Sequence, residues 1–134
     1  MMKKRSKVIF IVIALVLVVG GAFAARYISE LSSYRQAVED ITIGEVDLAA
    51  VPDGTYSGFA DVIWVSATVE VTVLDHRITA IKLDHRHGQG EAAEVITGHV
   101  IEAQSLQVDI ISGATSSSKV ILKAIEEALL SAAE

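Results

Sequence analysis

Apolar and polar residues alternate regularly in the middle of the chain. From Val65 to Val73 every second residue is apolar, and the residues between carry hydroxyl or carboxylate groups. A period of two places one set on a buried face and the other in solvent, which predicts a half-buried antiparallel strand. Asp75-His76-Arg77 can turn the chain into a second strand from Ile78 to Leu83, although a two-residue turn usually contains glycine. The pattern therefore predicts a hairpin.

Beyond the polar segment Asp84 to Gly90 the period lengthens to nearly four, which predicts helices. The first is expected from about Glu91 to Ser105, and one face of it carries Val95, Ile96, His99, Val100 and Ala103. Leu106 to Ile111 is expected to be extended again. The hairpin and the helices together predict a small α+β domain, a twisted antiparallel sheet with helices packed on one face.

The clearest helical pattern runs from Ser118 to Ala132. Its apolar stripe consists of Val120, Ile121, Ala124, Ile125, Ala128 and Leu129. The opposite, polar face carries Lys119, Lys123, Glu126 and Glu127. Ser116 or Ser117 is the expected N-cap, because a serine hydroxyl can accept a hydrogen bond from an early backbone N–H.

The N-terminal pattern is different, because Val8 to Ala25 contains no charged residue and follows four basic ones. These 18 residues would span roughly 27 Å as a helix, close to a hydrocarbon core of about 30 Å. We expect a single-pass anchor over residues 1–26, with a cytoplasmic N-terminus and the remaining chain on the extracytoplasmic side of the cell membrane. A signal peptide is the alternative, because Ala22-Phe23-Ala24 has the form of a cleavage site. Residues 27–51 then predict a helical connector, and the turn Pro52-Asp53-Gly54 begins a domain over 52–134.

Charge and cysteine content limit the functions of this domain. Residues 51–134 contain five basic and twelve acidic side chains, a net charge of −7 with neutral histidines. Such a domain repels nucleic acid, so nucleic-acid binding is not expected. The chain has no cysteine, which excludes disulfides, thiolate nucleophiles and iron–sulfur ligation.

Small hydroxyl residues and glycine cluster in Ser112 to Ser118, directly before the last helix. Backbone N–H groups at a helix N-terminus favour an anion, so a phosphate is the natural ligand of this turn. An ordinary serine-rich N-cap is the alternative. A Walker-type nucleotide loop is excluded because the Gly-Lys-Thr/Ser ending is absent, and no glycine-flanked nucleophile supports hydrolysis.

The run Asp109-x-x-Ser112-Gly113-Ala114-Thr115 resembles the flavinylation motif of the FMN-binding domain family. That family includes the covalently flavinylated components of the sodium-pumping NADH:quinone reductase and of the Rnf electron transport complex. Further segments are similar in the same order: Asp53 to Gly58, Val69 to Ile81, Ile101 to Ser105 and Ser117 to Lys119. The resemblance covers residues 52 to 131, and it departs from the family at Asp75-His76-Arg77, where many members have Asp-Gly-Lys.

The resemblance implies covalent FMN on Thr115, joined by a phosphoester that a separate, magnesium-dependent flavin transferase makes from FAD. Asp109, Ser112, Gly113 and Ala114 would form the sequence that this transferase recognises. Ser116 and Ser117 belong to the same expected cofactor-binding segment, although only the motif singles out Thr115. A membrane-anchored flavin of this kind would carry electrons from a membrane donor to an extracytoplasmic acceptor. We therefore expect an electron-transfer flavoprotein rather than a complete enzyme.

Other expectations concern the surroundings of the flavin. A noncovalent flavin or phosphate-ligand module with a sensory or regulatory role is the alternative function. Tyr56, Phe59 and Trp64 could flank the flavin ring, although aromatic residues here are more typical of a core. His85 and His87 form an H-x-H pair in a polar segment, and the family places a similar segment near the flavin. The same pair could hold zinc or copper with His76 or His99, but we predict no metal, because two ligands without a fixed third seldom form a site.

Overall fold

A computed structural model of the chain describes residues 3–62, 64–86 and 91–132, with the side chains of 86, 91 and 92 left aside. Two compact units are present, divided after Arg35. The first consists of helical residues whose large apolar side chains are exposed, from Val8 to Ile28. The second, from Gln36 onward, contains the sheet and the remaining helices.

Helix α1 extends without interruption over Lys4–Glu39. It is the one helix among the described residues that is long and apolar enough to cross a membrane. The predicted apolar N-terminal helix is therefore present as a candidate membrane span. The helical part of the predicted connector is not a separate element, because it continues α1 up to Glu39.

Three antiparallel strands form the sheet in the described residues: β1 (Gly54–Val62), β2 (Val65–Leu74) and β3 (Arg77–Arg86). They pair in the order β1-β2-β3, so β2 is central. The alternation predicted for β2 is confirmed, because its apolar residues Val65, Ala67, Val69, Val71 and Val73 are all buried. The predicted α+β fold with an antiparallel sheet is confirmed as well.

The turn between β2 and β3 contains two residues, Asp75 and His76, and no glycine. Both residues have positive φ, 51° and 61°, as a type I′ hairpin turn requires. His76 Nδ1 lies 3.2 Å from each of the carbonyl oxygens of Leu48 and Val51, which it can reach as an N–H donor. Asp75 N–H donates to Asp53 Oδ1 at 2.8 Å. These contacts hold the tight turn without the glycine that sequence rules favour.

Strand β3 is longer than expected and continues to Arg86. Asp84 to Arg86 were expected in a polar segment beyond the strand, which was wrong, because these residues pair with Ser66 to Thr68 of the central strand. A register shift opposite Thr72 and Val73 leaves Thr79 as the extra residue of a β-bulge. Beyond the bulge, His85 lies opposite Ala67 and therefore on the buried face of the sheet.

Two α-helices cover this face. Helix α2 spans Ile96–Ala103 and contacts β3, whereas helix α3 spans Thr115–Ser131 and packs across β1 and β2. The complete predicted apolar stripe of α3 is buried. Gly58 allows the close approach, because a Cβ atom there would lie 2.6 Å from the Ala128 nitrogen and 2.9 Å from its Cβ.

The first predicted helix was placed over too long a range. Residues Glu91–Val95 form a 3-10 helix, and the α-helix begins only at Ile96. Ile96 and Val100 are fully buried, but Val95, His99 and Ala103 from the same predicted face are exposed. The buried stripe instead includes Ala93.

Residues 107–111 are not a strand of the sheet. Their extended pattern belongs to an irregular loop that leads directly into α3. Side chains hold both ends of this loop, since Gln107 N–H donates to Ser105 Oγ and Ile111 N–H donates to Ser118 Oγ. The junction before Thr115 is therefore between a loop and a helix, not between a strand and a helix.

Residues 40–51, here called the strap, form part of the second unit although they precede the predicted domain. Lys123 Nζ donates to the carbonyl oxygen of Thr42 at 3.5 Å, and Gln107 Nε2 donates to that of Ile43 at 3.2 Å. Val51, at the end of the strap, is 1% exposed. The strap also explains why Glu126 is buried and not on a solvent face, because a Cβ at Gly44 would lie 3.3 Å from Glu126 Oε1. The Glu126 carboxylate is paired with Lys123 Nζ at 3.2 Å.

Candidate functional site

The segment Ile111 to Ala114, here called the motif turn, is a β-turn that leads into helix α3. Ala114 N–H donates to the Ile111 carbonyl oxygen at 3.0 Å, which closes the turn. Gly113 is its third residue and has φ of 80°. Only a positive φ at this position, combined with a negative φ before it, gives a type II turn, and glycine adopts that value without steric strain. A Cβ on Gly113 would meet nothing within 4 Å, so the backbone angle and not crowding demands glycine here.

Four consecutive hydroxyl residues, Thr115 to Ser118, follow the motif turn. They occupy the first turn of α3, and Ala114 is the N-cap without a side-chain hydrogen bond. The prediction that Ser116 or Ser117 caps the helix was therefore wrong. The reason is that the type II turn already sets the direction of the chain, so the helix begins before either serine.

The helical geometry separates the four hydroxyl residues by accessibility. Thr115 is exposed, Ser116 is half-buried, and Ser117 and Ser118 are buried at 4% and 0% exposure. The early backbone N–H groups of Thr115 to Ser117 have no acceptor within the helix. An exposed hydroxyl thus stands beside N–H groups that suit a negatively charged phosphate.

Two clefts flank the loop that carries Asp109. One, of about 490 Å³, lies between this loop and helix α2. It is lined by His99, Glu102, Ala103 and residues 107–112, which include Asp109 and Ser112. The other, of about 470 Å³, lies on the strap side and is lined in part by Ile41, Lys119 and Leu122. Of the predicted residues, Asp109 lines both clefts and Ser112 lines the first, whereas Gly113, Ala114 and Thr115 line neither.

His85 lies on the buried face of the sheet and not on a solvated loop. Its side chain has no exposed area, and Nδ1 lies 3.4 Å from Glu94 Oε1. His76 stands at the opposite end of β3, roughly 30 Å away at the rise of a strand, so these two histidines cannot share a metal. His87 lies outside the described residues. Across the parts of the chain that are described, no three histidine or carboxylate side chains form a group able to hold a metal.

The aromatic residues near the start of the domain are placed apart from the motif turn. Tyr56 donates its hydroxyl to the Pro52 carbonyl oxygen at 2.7 Å. Gly58, two residues on, touches α3 at Ala128, which lies roughly 20 Å along the helix from Thr115 at 1.5 Å per residue. The structure therefore does not bring Tyr56 and Thr115 together. Phe59 and Trp64 are 57% and 43% exposed, so the expectation that they belong to a core was wrong.

The sequence did not predict the supporting roles of two polar residues, Gln104 and Ser118. Gln104 ends helix α2 with φ of 51°, and its side chain accepts from Ile78 N–H at 2.7 Å and donates to Ile78 O at 2.9 Å. It thereby satisfies the backbone at the β-bulge. Ser118 holds the other end of the loop through Ile111 N–H at 3.1 Å. Neither pairing leaves a local sequence signal, because the partners are 26 and 7 residues apart.

These features define a small α+β domain that presents an exposed hydroxyl and unpaired helix N–H groups at the end of a glycine turn, a suitable place for a phosphate-bearing cofactor. The family model for the FMN-binding domain matches residues 58–130, more than half of the chain. The chain therefore belongs to the FMN-binding domain family, and FMN is the cofactor that this membership supports. A comparison with curated proteins gives no match.

Proposed function

We propose that this protein is a membrane-anchored, extracytoplasmic electron carrier with FMN attached to Thr115. The observation that carries the proposal is the exposure of Thr115 at the start of α3, directly after the Gly113 turn. Family membership supplies the cofactor, and the exposed hydroxyl supplies a group to which its phosphate can be joined. Ser117 is a poorer acceptor than its hydroxyl chemistry alone would suggest, because it is only 4% exposed.

The attachment step balances as a transfer from FAD. The Thr115 hydroxyl oxygen bonds to the flavin-side phosphorus, the pyrophosphate bond breaks, AMP leaves, and the hydroxyl proton is taken up by the transferase or the leaving AMP. Under this proposal Asp109, Ser112, Gly113 and Ala114 are read by the transferase. The N–H groups of Ser116 and Ser117 then stabilise the charge of the phosphoester.

Bound FMN supplies one- and two-electron redox chemistry, and the protein supplies its location and surroundings. Covalent attachment suits an exported domain, because a tether prevents loss of the cofactor by diffusion. Helix α1 would anchor the chain with its basic end in the cytoplasm. His85 then belongs to the support beneath the 3-10 helix rather than to a solvated flavin contact, since its side chain is buried beside Glu94.

The experiment that tests attachment is mass spectrometry of the full chain produced with a flavin transferase. We expect the peptide containing Thr115 to carry the mass of FMN less one water. Thr115→Ala should abolish the adduct and Thr115→Ser should retain it, because only a hydroxyl is required. Thr68→Ala is the matched control, since Thr68 is exposed on β2. An unmodified wild-type peptide, or a flavin released by denaturation, would contradict covalent attachment.

Sidedness and electron transfer need separate tests. The chain has no cysteine, so single replacements at Ser6 and Ser57 can be labelled in intact cells with a maleimide that does not cross membranes. We expect labelling at position 57 and protection at position 6. Membranes containing the wild type should reduce the flavin from a membrane donor and reoxidise it with an external acceptor. A flavin that no membrane donor reduces would refute the carrier role.

A further inference from the structure

Three hydrogen bonds close a ring around the motif turn. Ala114 N–H donates to Ile111 O at 3.0 Å, Ser118 N–H donates to Ala114 O at 2.9 Å, and Ile111 N–H donates to Ser118 Oγ at 3.1 Å. Both backbone polar groups of Ile111 are thus held, one by the turn and one by the helix. The ring joins the end of the loop, the N-cap and the first turn of α3 into one unit.

Only one acceptor in this ring is a side chain, the hydroxyl of Ser118. Its residue is fully buried, so water cannot readily replace it as the acceptor of the Ile111 N–H. The sequence placed Ser118 at the end of the hydroxyl-rich segment 112–118 but gave it no role of its own. Its hydroxyl differs from that of Thr115 in direction and in use, because one is exposed and the other holds the backbone.

Thr115 belongs to the segment that the ring closes, between Ala114 and Ser118, and takes part in none of the three hydrogen bonds of the ring. The direction of its exposed hydroxyl follows from the backbone that the ring fixes. Without the Ser118 acceptor, the Ile111 N–H would lose its partner, and the start of the motif turn would no longer be hydrogen-bonded to a side chain of α3. Transfer to a hydroxyl requires that the oxygen and the phosphorus approach in line, so the orientation of this turn affects the rate.

We propose that Ser118 is a positioning residue for flavin attachment, acting through the Ile111 backbone to orient Thr115. This inference rests on the proposed function of Thr115. Ser118 touches neither the transferred phosphate nor the flavin. Its role is to hold the acceptor turn in the conformation that the transferase uses once the two proteins have docked.

The test uses the full chain in detergent with a purified flavin transferase, FAD and Mg²⁺. Ser118→Ala removes the acceptor, and Ser118→Cys keeps a side chain of similar shape with a much weaker acceptor. We expect kcat for attachment to fall about tenfold or more in both variants while KM changes less than about twofold, because positioning and not docking is lost. Asp109→Ala should instead raise KM if Asp109 serves recognition.

The matched control is Ser131→Ala at the other end of the same helix. Ser131 Oγ donates to the Ala128 carbonyl oxygen, so the variant also removes a serine hydroxyl that bonds to the backbone, but far from the turn. It should be modified at the wild-type rate. Hydrogen exchange of the Ile111 amide, followed by NMR, gives a readout independent of flavin chemistry, and it should accelerate at least tenfold in the Ser118 variants.

The outcomes separate the two proposals. A wild type that is not modified contradicts the proposed function and this role together. A modified wild type with unchanged kcat in Ser118→Ala, or with wild-type behaviour in Ser118→Cys, overturns the positioning role alone. If Ser118→Ala fails to fold, Ser118→Cys decides, because it preserves the packing. Unchanged exchange of the Ile111 amide in a folded variant also overturns it.

Discussion

Gly58→Ala should be among the most disruptive single-methyl changes in the second unit. The added Cβ would overlap the Ala124 carbonyl oxygen and lie 2.6 Å from the Ala128 nitrogen, whereas ordinary contacts begin near 3.4 Å. Both partners are helix backbone, so α3 must move from β1 by about 1 Å. We expect a loss of about 3 kcal/mol in the free energy of unfolding, at the upper end of overpacking costs. For a unit of this size that lowers Tm by roughly 12 to 24 °C.

Gly98→Ala is the matched control, because it adds the same methyl group in a helix where nothing lies within 4 Å. It should stabilise by about 0.5 to 1 kcal/mol, because alanine is the better helix former. Thermal unfolding can be followed by the fluorescence of Trp64, the one tryptophan of the chain. A Gly58→Ala protein that unfolds within about 3 °C of the wild type would refute the close approach. Stabilisation of both variants would show that the loss of glycine flexibility outweighs any crowding at Gly58.

Three further changes test other parts of the domain. Gln104→Ala removes both hydrogen bonds to Ile78 and should lower the free energy of unfolding in urea by about 2 to 3 kcal/mol. Gln104→Glu keeps only the acceptor and should lower it by a smaller amount. An unchanged urea midpoint for Gln104→Ala would rule out the contact with the bulge. Gly113→Ala forces a non-glycine residue to positive φ, so it should lower the free energy of unfolding by about 1 kcal/mol and slow flavin attachment. Attachment at the wild-type rate would contradict this prediction. Val51→Ala should lower the free energy of unfolding by about 1.5 kcal/mol because Val51 is buried. Val95 is exposed, so Val95→Ala should leave it almost unchanged. Equal effects of the two variants would show that the strap is not part of the core.

The elements that could be predicted from the sequence are those fixed by local periodicity. The central strand and the stripe of α3 follow from apolar spacing, and both are buried as expected. The end of β3 and the loop 107–111 were misplaced because strand content there depends on pairing with a distant strand, which local pattern does not encode. Glu126 was predicted to lie on a solvent-exposed face, because the pattern of its own helix does not predict that the strap covers it.

For the candidate site, the motif predicted a segment of the chain, and the backbone conformation determines which residues of that segment are exposed. Gly113 is constrained by its positive φ, since the space beside it is open, and the motif as a sequence does not give this backbone angle. The burial of Ser117 depends on where α3 begins, one turn earlier than the apolar pattern suggested. The assignment of individual site residues stays a prediction until flavin attachment is measured.

The graded burial of Thr115 to Ser118 has a consequence for the composition of the mature protein. An enzyme that modifies hydroxyl groups meets four of them in a row, but successive helical residues point about 100° apart. Thr115 is exposed, Ser116 is half-buried, and Ser117 and Ser118 are buried. Under the proposed chemistry each chain would then carry one flavin at one residue, Thr115, with no mixture of positional isomers. Every molecule in the population would share the same flavin surroundings, and a redox titration of the purified protein would give a single midpoint for each electron step.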